Sequence, residues 1–62
     1  MSRLHVVVNL STSVATVETH DVGSANVEIT FEDADRAAKV LVTPREARTL
    51  GAALLAASHA AP

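Results

Sequence analysis

The chain has no cysteine, no tryptophan and no tyrosine. Without thiols it can form neither disulfides nor a cysteine-ligated zinc site, and thiol catalysis is closed to it. Phe31 is the single aromatic residue, so the stacking platform on which single-strand nucleic-acid binders rely is missing. Two glycines, Gly23 and Gly51, are too few and too far apart for a phosphate-cradling loop. No run approaches 18 consecutive apolar residues, which excludes a transmembrane helix. Basic residues are sparse as well. Arg3, Arg36, Lys39, Arg45 and Arg48 are dispersed among seven carboxylates, for a formal charge of −2. Phosphate backbones call for a basic patch, so nucleic acid is not expected as a partner.

What is present is apolar and small. Hydrophobic residues make up 48% of the 62 positions and charged residues 19%, a globular composition. One domain, residues 1–62, is the most such a chain can form. A chain this short buries only about 60% of the surface its unfolded state exposes, and domains of this size lean on disulfides, metals or partner subunits. With disulfides absent and His5, His20 and His59 scattered, association with a second copy is the expected device. The opening "MSRLHVVVNLSTS" carries one arginine and a short apolar stretch broken by His5 and Asn9. A signal peptide needs a longer apolar core and a cleavage site, so a cytoplasmic location is expected. Asn9-Leu10-Ser11 then matches a glycosylation acceptor by chance.

Four segments read as strands. Residues 3–9 put Leu4, Val6 and Val8 on one face and His5, Val7 and Asn9 on the other. Residues 13–20 are rich in β-branched side chains, which sit well in a pleat. Residues 26–32, "NVEITFE", alternate Val27, Ile29 and Phe31 with Glu28, Thr30 and Glu32. Residues 37–42 return as "AAKVLV", with Ala38, Val40 and Val42 sharing a face. The connections "NLSTS", "HDVGSAN" and "DADR" have turn chemistry, Gly23 being free to take a positive φ. Short connections imply antiparallel neighbours. The alternative for "DADRAAK" is one helical turn.

A helix over residues 44–61 follows. Thr43 suits the N-cap, Pro44 the first helical position, and Glu46 completes a capping box. At 100° per residue, Ala47, Leu50, Leu54, Ala57 and Ala61 share a side, with Gly51 and Ser58 at its margin. That stripe is expected on the Val27/Ile29/Phe31 face of the sheet, with Leu50 and Leu54 contributing roughly 1.5–3 kcal/mol each on burial. The opposite side lacks the usual charge. Gly51, Ala52, Leu55, Ala56 and His59 are small or mildly polar, and a second helix could approach closely there. Gly51 costs about 1 kcal/mol relative to alanine inside a helix, which close packing against sheet or partner would offset. These five residues are the candidate interface, and either sheet edge is a further one.

Chemistry-bearing clusters are thin. Glu18, His20 and Asp21 form the one local group of potential metal ligands, and a polar strand end is the ordinary reading of it. "DADR" lacks the glycine and distal glutamate of a calcium loop. "STS" at residues 11–13 has no base or helix N-terminus beside it. Small tautomerases reach this length but use a proline after the initiator, where this chain has Ser2. No catalytic, cofactor-binding or metal-binding residue is assigned, no cofactor is expected, and an enzyme is not expected.

Across residues 40–58, "VLVTPREARTLGAALLAAS", the chain resembles small uncharacterised proteins of actinobacteria and their phages. Their endings run from a strand into a T/S-P-x-E-A-x-x-L segment that opens an alanine- and leucine-rich helix. Thr43, Pro44, Glu46, Ala47, Leu50, Leu54 and Leu55 match that pattern. The resemblance implies a sheet followed by a packed helix and a high-GC source, and it carries no activity.

The expectation is therefore an α+β domain, a three- to four-stranded antiparallel meander with one C-terminal helix packed on one sheet face. The expected function is that of a non-enzymatic interaction protein, homodimeric, acting as a phage or bacterial accessory factor on a host or cellular protein. The alternatives are a nucleic-acid-associated regulator whose dimer gathers Arg36, Arg45 and Arg48, a structural component of a virion, and a metal-dependent activity at Glu18, His20 and Asp21. A ribbon-helix-helix repressor would need one strand followed by two helices, which the pattern does not offer.

Overall fold

A computed structural model describes residues 3–62; Ser2, and with it the comparison to tautomerases, lies outside the described residues. Strands β1 (His5–Asn9), β2 (Val14–Thr19), β3 (Val27–Glu32) and β4 (Ala37–Val42) precede helix α1 (Pro44–Ala60). The strands form one antiparallel sheet in the order β1-β2-β3-β4. This is the meander expected from the turn spacing.

Each connection has a local cause. Between β1 and β2 the Leu10 N–H donates to the Ser13 carbonyl at 2.9 Å. Between β2 and β3 Gly23 adopts φ +82°, a conformation glycine takes without a Cβ penalty, and the His20 N–H closes the loop on the Asn26 carbonyl at 2.8 Å. Between β3 and β4 the Asp33 carboxylate accepts from the N–H groups of Asp35 (2.8 Å) and Arg36 (2.9 Å). That turn leads directly into β4, so "DADRAAK" is a turn and a strand rather than a helical turn.

The helix begins as its residues dictate. Thr43 Oγ1 accepts from the Glu46 N–H at 3.1 Å, and Glu46 Oε1 accepts from the Thr43 N–H at 2.9 Å. Two of the donors left free by helix geometry are thereby satisfied. At the far end the Ala61 N–H bonds the Ala57 carbonyl at 2.9 Å.

The helix follows the sheet and contacts β4, with half-buried Val42, Thr43 and Ala47 at its root. The deep burial expected of the leucine stripe does not occur. Leu50 is 43% exposed and Leu54 64%, and no helix residue is buried. The connector explains this. Thr43 alone separates β4 from α1, in an extended conformation with φ −75° and ψ 162°. Strand-to-helix connections ordinarily take about 2–6 residues, and a single residue offers too little chain to turn a helix back across its own sheet.

The consequence is an open molecule. Its Cα radius of gyration is 12.8 Å, against about 10.6 Å for a compact chain of this length. Ala15, at 8% exposure, is the one buried hydrophobic residue among the described residues.

Candidate interaction surface

Strand pairing aligns the apolar residues into rows across one face of the sheet. Val6, Val17, Ile29 and Val40 form one row, because Val6 pairs with Val17, Val17 with Ile29, and Ile29 with Val40. Val8, Ala15, Phe31 and Ala38 form the next. Thr19, Val27 and Val42 form a third, and there the Thr19 hydroxyl already accepts from the Leu4 N–H at 2.8 Å. No charged side chain interrupts these rows. A face of this kind normally lies beneath a helix or a second sheet. Here Val6, Val8, Phe31 and Val40 are exposed, Phe31 at 46%.

The helix presents a second apolar surface. From Thr49 to Ala60 it carries no carboxylate, lysine or arginine. Its two hydroxyls turn back onto the helix's own backbone, Thr49 Oγ1 to the Arg45 carbonyl at 3.1 Å and Ser58 Oγ to the Leu55 carbonyl at 2.6 Å. His59 is the remaining polar side chain on that stretch. Gly51, Ala52, Leu55, Ala56 and His59 all stand exposed on α1, Leu55 at 61%. A methyl added at Gly51 would meet no atom within 4 Å. Close packing of Gly51 against its own sheet is thus excluded, and of the two explanations for the glycine the intramolecular one falls.

The other sheet face is mixed, with Val7 and Leu41 exposed beside a polar cluster organised around Glu28. Its side chain is 16% exposed and lies 3.1 Å from His20 Nε2 and 3.8 Å from Lys39 Nζ. Thr30 Oγ1 also donates to it at 3.4 Å. Register explains the gathering, since Glu28 stands opposite Glu18 and like charges directly opposed are destabilising. Lys39 is the cation placed to offset that repulsion at Glu28, while His20 Nε2 is within hydrogen-bonding distance of Glu28 and His5 Nδ1 lies 3.9 Å from Glu18. Glu18, His20 and Asp21 do not converge. They turn to His5, Glu28 and Arg3 respectively, Arg3 Nη2 meeting Asp21 Oδ2 at 3.1 Å. Glu28 as a hub was missed from sequence because the pairing partner of its strand and the path of the loop after Thr19 must both be known. Its one advance signal is the alternation in "NVEITFE", which sets it opposite the apolar face.

At the end of the sheet remote from the helix, Asn9–Val14 and Glu32–Ala34 line a shallow, open depression of about 580 Å3. Its walls are turn residues together with the strand ends Asn9, Val14 and Glu32. Beside it Asp33 is held below the ordinary aspartate value of 3.8 by the backbone N–H groups of Asp35 and then Arg36, which bond its charged form. Arg36 stands at the same end, one β4 length away from Arg45 and Arg48 on α1. A single protomer therefore does not unite the three arginines.

Comparison of the chain with protein-family models, curated proteins and solved structures finds no match.

Proposed function

We propose that the protein is a non-enzymatic interaction module that self-associates, working in the cytoplasm as a bacterial or phage accessory factor on a cellular or host protein. One observation carries this reading: a charge-free apolar sheet face and an apolar helix are both open to solvent in the same small chain. Large exposed apolar patches mark interaction surfaces in proteins that stay in solution.

Association would remove apolar area from water at about 25 cal/mol per Å2, a gain a short chain without cross-links needs. The ionic cluster around Glu28 would remain outward and keep the assembly hydrated. Sedimentation velocity at micromolar concentration tests the reading directly. The expected result is a mass above the monomer's 6.4 kDa. A monomeric mass throughout would remove self-association.

A further inference from the structure

Resting on that self-association, we infer that the occupant of the open sheet face is the helix of a second copy, placed reciprocally, so that each α1 lies across the other protomer's Val6–Val17–Ile29–Val40 row. Three observations converge on this. First, the two apolar surfaces are complementary in kind but do not bury one another within one chain, where Thr43 is the entire connector between β4 and α1 and Leu50 and Leu54 stay exposed. Second, their dimensions agree. Residues 50–60 of the helix span roughly 16 Å at 1.5 Å per residue, and the three interstrand spacings of the sheet amount to roughly 14 Å. Third, the missing area has the size of a dimer interface. The chain exposes 5020 Å2, whereas a compact protein of its mass exposes about 3,800 Å2. The excess, about 1,200 Å2 per protomer, would bury about 2,400 Å2 in total, within the range of obligate homodimers.

In this arrangement Ala47 stays against its own β4, while Leu50 and Leu54 reach the partner's Ile29 and Val40. A twofold axis makes the contact isologous, so both sheet faces are covered in one step and no open apolar surface is passed to a third copy. No carboxylate or ammonium lies on the covered face, and burial therefore carries no charge-desolvation cost.

The test mixes isotope-labelled and unlabelled wild-type protein and records intermolecular methyl contacts by filtered NMR, alongside solution mass. The expected result is a dimeric mass with contacts from Leu50 and Leu54 methyls to those of Val17, Ile29 and Val40. Leu54→Glu should raise the dimer dissociation constant roughly 10- to 100-fold. Val22→Glu, at a loop position 84% exposed and away from the face, should leave it unchanged. Cysteine substitutions give an independent readout in this cysteine-free chain. A mixture of Leu54→Cys and Val40→Cys proteins should cross-link to each other on oxidation. A dimeric mass with Leu54-to-Leu54 cross-links and no Leu54-to-Val40 product overturns the reciprocal placement but leaves self-association standing. A monomeric mass, or leucine-to-sheet contacts found within one chain, overturns the placement outright.

Discussion

Gly51 concentrates the problem of this molecule in one residue. It occupies a helix interior, where glycine costs about 1 kcal/mol relative to alanine, and nothing in its own protomer occupies the space of the absent methyl. Gly51→Ala should therefore stabilise the isolated protomer by about 1 kcal/mol, measured by urea unfolding at a concentration where mass is monomeric. An absence of gain would mean that the local cost has been misjudged. Asp33 makes a different kind of prediction. Its folded pKa is depressed by the bonds to Asp35 and Arg36, so in the acid range the unfolded chain binds the proton more readily. The stabilisation is complete above the ordinary aspartate range and is lost as pH falls through the folded value, below about 4. Asp33→Ala should flatten the pH dependence of unfolding in that window, and carboxyl NMR titration of the wild type should place the Asp33 midpoint below 3.8. At this scale the legible residues were those whose partners are close in sequence. Gly23 and Asp33 act within turns of a few residues. The His20–Glu28 contact spans a loop and a strand pairing, and composition alone does not contain it.

Elements were more legible than their contacts. Alternation in "NVEITFE" and "AAKVLV" names the residues that share a face, and short turns force neighbouring strands to pair, so the meander follows from local rules. The helix boundary is equally local, since Thr43 and Glu46 satisfy one another within a single turn. Thr43→Ala should cost about 0.5–2 kcal/mol of stability and fray the first turn, seen as lost ellipticity and faster amide exchange at Glu46. Unchanged exchange at Glu46 would show that the cap contributes little. What periodicity could not supply was the surface against which Leu50 and Leu54 would lie. An amphipathic pattern identifies a stripe, but the stripe's partner depends on where the connector allows the helix to go. With a one-residue link after Val42, α1 contacts β4 but does not bury its leucines on the sheet. The nearly uncharged remainder of the helix obscured this further, because either side of it reads as fit for burial.

The whole molecule poses an energetic question that neither residues nor elements answer. A sheet with one buried hydrophobic residue among those described lacks the apolar burial that normally outweighs chain entropy. Under the proposed self-association, stability is linked to association, and that linkage has a measurable form. When folding and dimerisation are coupled, raising protein concentration favours the folded side by mass action. A tenfold increase is worth about 1.4 kcal/mol per dimer, or about 0.7 per protomer. A chain of this length has an unfolding entropy of about 0.13 kcal/mol/K near its midpoint. The expected displacement of Tm is therefore about 5 °C for each tenfold change in concentration. Circular-dichroism melts across a hundredfold range resolve such a shift easily. A midpoint that stays fixed over that range would mean that each protomer folds independently of association, and the open sheet face would then be a standing feature of the folded monomer.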